Sequence, residues 1–140
     1  MSYSWLFDYK KLFIWQEFIK LLNTHLKDVE EVENTYFQIL ERSGKKFEKQ
    51  NPKRVLIEEY INILENEGRL HSDFRCLSCE EKIEDELTLA RSFYPAHKSC
   101  IYESTKYDKN KIEDLFNNKT TMLLSDKECD NLWNLILKGI

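Results

Sequence analysis

The spacing C-x2-C-x17-H-x2-C, formed by Cys76, Cys79, His97 and Cys100, constrains this chain more than any other feature. A gap of two residues lets both side chains of a pair turn to one side of a tight backbone knuckle. Two knuckles about 15–20 residues apart have the spacing of a structural zinc site, in which the intervening loop folds back so that four donors meet one tetrahedral ion. Thiolate sulfurs bind zinc at about 2.3 Å and an imidazole nitrogen at about 2.0 Å, and four such ligands leave no place for water. The expected cofactor is therefore one structural Zn2+ with a scaffolding role, because a catalytic zinc ordinarily keeps a water in its fourth position. Chance clustering of ordinary thiols is the alternative reading.

Other chemistry fits the same residues poorly. A zinc deaminase places H-x-E well upstream of P-C-x-x-C, whereas His71-Ser72-Asp73 lies almost against Cys76 and no proline precedes that cysteine. A redox C-x-x-C belongs between a strand and a helix, yet here a helix leads into the pair and a second His/Cys pair follows. A zinc-bound thiolate is not free for nucleophilic attack, and three glycines in 140 residues offer little means to build a phosphate cradle. The expected class is a non-enzyme.

The rest of the chain reads as helices. One domain's worth of residues, with 41% apolar content, eighteen aromatic side chains and only two prolines, is expected to fold as a mainly α domain. Leu6, Leu12, Phe13, Trp15, Phe18, Ile19, Leu22 and Leu26 recur at helical spacing and predict one long core helix. Asp28 with Glu31 forms a capping-box pattern ahead of Val29, Val32, Tyr36, Phe37 and Leu40, a second helix that Gly44 would end. Asn51-Pro52 opens a third helix that runs to about residue 67 before Gly68. Asp108 caps a fourth, and Ser125 with Glu128 opens a fifth, which Gly139 closes. The domain 1–140 thus divides into helices one to three (1–69), an inserted Cys3His zinc knuckle in which a short β-hairpin could form (70–104), and C-terminal helices (105–140). The helical stripes are expected to keep a core of their own if chelation unfolds the knuckle.

Charge is distributed unevenly about a formal net of −4. The EEKIEDE run at residues 80–86 carries five acids and one lysine, which repels a phosphate backbone, and a zinc ion with three thiolates adds another negative charge. Basic residues gather instead at Arg42, Lys45, Lys46, Lys49, Lys53 and Arg54, around Phe47, where a turn could receive an acidic peptide or a phosphate backbone. A merely solvated charged turn is the plainer reading. Cys129 has no local partner and is expected in the last helix as a small thiol, while His25 and His71 read as structural histidines. No apolar stretch approaches the roughly 20 residues of a membrane span, and the start lacks a signal-peptide layout, so a cytoplasmic chain with reduced thiols is expected.

The segments SWLFDYKKLFIWQEFIKLLNTHLKDVEEVENTYFQIL, QNPKRVLIEEYINILENEGRLH, CLSC, LARSFYPAH and HKSC together resemble the C-terminal part of the RecO family of bacterial recombination mediators, over nearly the whole chain. That resemblance implies a helical domain with a zinc knuckle, following an N-terminal OB-fold barrel for which these residues leave no room. It carries the metal ligands to Cys76, Cys79, His97 and Cys100; a common family version has cysteine at the third ligand, so His97 is a departure that zinc accepts. It further implies DNA repair by single-strand annealing and RecA loading, with RecR and the acidic tail of single-strand-binding protein as partners and DNA held mainly by the barrel. On this reading Met1 is not the natural start, and the basic 42–54 turn is the candidate rim for the acidic tail. A zinc-containing module that binds single-stranded nucleic acid directly is the alternative.

Overall fold

A computed structural model describes residues 3–103 and 105–140. Met1 and Ser104 lie outside these, and with them the expectations about the natural start and the last residue of the 70–104 insertion. The elements run α1 (Tyr9–His25), α2 (Asn34–Lys46), α3 (Pro52–Asn66), β1 (Glu86–Ala90), β2 (Tyr94–Ala96), β3 (Tyr107–Asp108), α4 (Lys109–Asn118) and α5 (Asp126–Ile136), with 3-10 turns at Ser4–Phe7 and Arg91–Phe93. The fold is mainly helical, with a small antiparallel sheet and the Cys3His segment inserted between α3 and α4.

Helix α3 is the hub. Its first turn is set by Asn51, whose side chain accepts the N–H groups of Lys53 at 3.0 Å and Arg54 at 3.4 Å, with Pro52 at the position where a missing N–H costs nothing. Val55, Leu56, Ile57, Tyr60, Ile61, Ile63 and Leu64 are all buried. A helix apolar on this many sides must be surrounded, and α1, α2, α4 and α5 all pack against it. At its end Gly68 takes φ +70, the left-handed conformation that suits glycine. The later caps also form as their sequences predict: Asp108 accepts the N–H of Asn110 at 2.8 Å, and Ser125 and Glu128 exchange bonds of 2.8 and 3.1 Å in a capping box.

The first two helices depart from expectation. Asp8 accepts the N–H groups of Lys10 and Lys11, so a helix starts at Tyr9 and the expected single long helix is broken into a 3-10 turn and α1. Only Phe18 and Leu22 of α1 are fully buried; Phe13 points out. The Asp28–Glu31 capping box does not form, because α2 begins at Asn34 behind Glu33, which makes no side-chain cap. Gly44 does not end α2 but lies inside it. Its carbonyl accepts the indole N–H of Trp5 at 2.8 Å, and a Cβ there would meet the Tyr3 ring at 2.9 Å, so close approach explains this glycine.

In the sheet, order β2-β1-β3, Thr88 pairs with Ala96, Leu89 with Pro95, and Leu87 with Tyr107. Pro95 is tolerated because β2 is an edge strand. Buried Leu87, Leu89, Phe93 and Ala96 belong to the same core cluster as Phe18, Tyr60 and Leu132. The helices therefore do not own a separate core, contrary to the expectation from their stripes.

Candidate metal centre

The first knuckle is built by the backbone. Arg75 and Lys82 form an antiparallel bridge, Ile83 N–H donates to Phe74 O at 2.9 Å, Cys76 N–H to Glu81 O at 2.9 Å, and Glu80 N–H to Cys76 O at 3.0 Å. Phe74 and Ile83 are the apolar anchors: both are buried at the base of an otherwise exposed acidic loop. Phe74 stacks on Phe116 of α4 with centroids 5.5 Å apart, and the Lys109 ammonium lies 5.7 Å from its ring centre. The second knuckle follows β2 without a spacer, since His97 comes directly after Ala96, and Cys100 N–H returns to His97 O at 3.0 Å. The two knuckles are joined by Leu77 N–H donating to Pro95 O at 2.9 Å. The seventeen-residue gap is thus spent on the hairpin that brings His97 back beside Cys76.

The four expected ligands are brought together. One donor atom from each of Cys76, Cys79, His97 and Cys100 lies within 4.8 Å of the others. His97 presents Nδ1, which is 3.3 Å from the sulfur of Cys79 and 3.9 Å from that of Cys100. A tetrahedral ion held at zinc-like bond lengths separates sulfur from nitrogen by about 3.6 Å, between these two distances. The donors fit the group, and the cluster could hold one metal ion.

Burial differs across the cluster, from buried Cys76, through half-buried His97 and Cys100, to exposed Cys79. The sulfur of Cys76 accepts the N–H groups of His97 at 3.3 Å and Ser78 at 3.4 Å. Burial raises its thiol pKa, but the N–H groups of Cys79, His97 and Ser78 and the His97 side chain outweigh this and bring it down to about 6. Cys100 is pushed upward, by burial first and then by its hydrogen bonds and charge repulsion with Cys76 and Cys79. Three sulfurs crowded this closely favour a cation among them, which would relieve that repulsion.

The six basic residues of the 42–54 stretch are largely engaged within the fold. Arg42 grips buried Glu59 with two bonds of 2.6 and 2.7 Å; Lys45 pairs with Glu41 one turn away; Lys53 reaches Asp130 at 2.9 Å. Arg54 donates to Thr121 O at 2.7 Å, and to Leu124 O and Asp126 at 2.9 Å. Phe47 is fully buried against Trp5 and Trp15, so the turn offers a partner no aromatic surface. Lys46 and Lys49 stand outside these pairs. Cys129 is a buried core thiol, pushed up to about 11 mainly by burial.

Both remaining histidines have structural partners that local sequence does not reveal. His25 meets Glu67 at 2.8 Å in a cluster that Tyr36 and Arg69 complete, and His71 stacks on Tyr94 with centroids 3.7 Å apart. Phe74 and Ile83 shape the site without belonging to any motif. A lone apolar residue amid charges, as Ile83 is in EEKIEDE, is the one signal that points to them. No helix of the described residues is long and apolar enough to cross a membrane. Comparison of the chain with protein-family models and with curated proteins finds no match to either.

Proposed function

We propose that this chain is a non-enzymatic scaffold and docking domain, held by one structural zinc ion, of a cytoplasmic DNA-repair recombination mediator. The observation that supports the scaffolding part is the donor count: one ligand atom from each of Cys76, Cys79, His97 and Cys100 lies within 4.8 Å of the others, and four protein donors would fill a tetrahedral zinc without water. Zinc suits a single set of three sulfurs and one nitrogen better than iron, which protein thiolates more often hold in clusters. Cys76, Cys79, His97 and Cys100 would hold the ion, which would supply cross-linking of the two knuckles. The mediator part rests on the resemblance to the RecO family, with RecR and the tail of single-strand-binding protein as partners. Lys45, Lys46 and Lys49 are the basic-turn residues whose reversal leaves the Arg42–Glu59 and Arg54 networks intact.

The test has two arms. Metal analysis of the purified chain should give one zinc per molecule, and cobalt substitution should give the spectrum of a water-free site with three thiolates and one imidazole; a water-containing site would overturn the scaffolding role. Titration with an acidic tail peptide should show binding that falls about tenfold or more when Lys45, Lys46 and Lys49 are changed to Glu. Unchanged affinity would remove the basic turn from the reading. Direct, steeply salt-dependent binding of single-stranded DNA would favour the nucleic-acid module instead.

A further inference from the structure

Strand β3 is shorter than its neighbour β1, and the difference opens a pocket. Pro95, opposite Leu89, has no N–H and gives its carbonyl to Leu77, so Thr88 and Ala90 carry the bonds to β2 and the N–H and C=O of Leu89 turn toward β3. Asp85 and Leu87 face the same way: the Asp85 carbonyl accepts the Lys109 N–H at 2.8 Å, and Leu87 pairs with Tyr107. The register would next set Thr105 against Leu89, but β3 ends at Tyr107 and no backbone bond joins the two. Leu89 is 2% exposed, yet its N–H and C=O have no backbone partner among the described residues. Buried backbone groups are nearly always paired, so this edge is suited to a molecule that brings a donor and an acceptor together.

The pocket that holds Leu89 and Thr105 in its wall has a volume of about 140 Å³ and is lined from α5 by Asn131, Asn134 and Lys138. Thr88, 1% exposed, adds a buried polar side chain. Glu103 and Lys138 are its two charged residues, and neither is in an ion pair, with the other or with any other described residue.

We propose that this pocket binds a free α-amino acid with a small side chain. The ladder position opposite Leu89 calls for a nitrogen donor and a carbonyl-type acceptor on the same residue, and the ammonium and carboxylate of an amino acid carry them at the spacing of a strand residue. Lying antiparallel to β1, the ligand donates from its ammonium to the Leu89 carbonyl and accepts with its carboxylate from the Leu89 N–H. Glu103 offers the ammonium a counter-charge and Lys138 offers one to the carboxylate, which strengthens both ends. A lone anion would face the Leu89 carbonyl and Glu103, and a lone cation would face the Leu89 N–H and Lys138. Size sets the rest: at about 30 Å³ per water the pocket equals roughly five waters, room for glycine, alanine or serine and too little for an aromatic amino acid. So few atoms hold a ligand at about 0.1–10 mM.

The proposal goes beyond the docking role and depends on neither the metal nor the mediator reading. Glycine, alanine and serine titrated into the isotope-labelled full chain should each give saturable amide NMR shifts centred on Leu89 and Thr105. Acetate and methylammonium, which carry one end each, should bind about tenfold more weakly or worse. Lys138 is exposed and Glu103 half-buried, so Lys138→Gln and Glu103→Gln should keep the folded spectrum while each weakens alanine binding about tenfold. Shifts that do not saturate with any of the three amino acids up to about 100 mM would mean that water alone serves Leu89, and would overturn the proposal. Acetate binding as tightly as alanine would make the pocket an anion site and do the same, as would alanine affinity unchanged in both glutamine variants.

Discussion

The backbone N–H of His97 points at the sulfur of Cys76, 3.3 Å away, so the first ligand of one knuckle is held by the first residue of the other. With the Ser78 N–H, 3.4 Å from the same sulfur, this bond makes Cys76 the best-anchored corner of the site. Cys76→Ser should therefore abolish stoichiometric metal binding, seen by metal analysis, and lower the melting temperature by roughly 10 °C through the coupling of ligation to folding. Cys79→Ser, at an exposed corner, should lose metal with a smaller thermal penalty. His97→Cys should retain one metal per chain, since zinc accepts four thiolates as readily as three with a histidine.

Because Cys76, Ile83, Leu87 and Phe93 lie in one cluster with the helical residues, metal removal should not be confined to residues 70–104. A chelator should lower the melting transition followed by helical circular dichroism, as well as that of the knuckle, in one cooperative step. Hydrogen exchange of α3 amides is the local check: rates in chelator that rise together with those of β1 support a shared core, and rates that stay fixed while β1 opens refute it.

Glu59 is 1% exposed and accepts two hydrogen bonds from Arg42, with Asn62 donating to it at 2.6 Å. Removing one partner of a buried pair costs about 3–5 kcal/mol, and the half-exposed guanidinium reduces this. Arg42→Ala should destabilise by about 2–3 kcal/mol in urea unfolding, and adding Glu59→Leu should recover part of the loss. A loss for Arg42→Ala equal to that of an exposed i,i+4 pair such as Lys45–Glu41 would show that Glu59 finds other solvation.

Glu80 follows the second cysteine of its knuckle with φ +66, a left-handed conformation that costs an L-residue about 1–2 kcal/mol and glycine nothing. Its side chain is exposed. After allowance for the greater freedom of glycine in the unfolded chain, Glu80→Gly should be neutral to stabilising by about 1 kcal/mol with metal bound. A loss of that size by thermal or urea unfolding would show that the Glu80 side chain is needed.

The features legible in the sequence are those that local chemistry decides. Asn51-Pro52, Asp108 and the Ser125–Glu128 box place helix starts because each cap bonds within three residues, and the Cys/His spacing works because a knuckle closes within four. Asp28–Glu31 carries the same local pattern, yet α2 starts at Asn34, where Tyr36 and Ile39 can reach the core; packing overrules the cap. Phe13 and Phe37 fit helical stripes by spacing but are 62% and 58% exposed, since a stripe states a period and not what covers it. The left-handed backbone at Phe74 and Phe93 has no cue at all, because the strain is offset by burying both rings at long range. The basic turn misleads for a related reason: Arg54 finds its carbonyl partners some seventy residues away.

Cys129, buried in α5, provides the last test. Burial, the largest influence, and the neighbouring Asp126, Asp130 and Glu128 raise its thiol pKa to about 11 despite the opposing charge of Arg54, while the unfolded chain has an ordinary thiol. Between those values the folded state holds the proton that the unfolded state releases. Its contribution is therefore fully present below about pH 8.5 and is lost as pH rises through about 11; the whole shift corresponds to about 3 kcal/mol, which solvent screening of the partly buried thiol reduces to about 1–2 kcal/mol. Tyr36 and Tyr107 are also raised, so the total alkaline loss is shared. The difference between wild type and Cys129→Ala isolates the thiol: urea unfolding at a series of pH values from about 7 to 11 should show the variant losing less stability with pH than the wild type. Parallel curves would mean that Cys129 ionises without opposition from its surroundings, and that its burial is not maintained in solution.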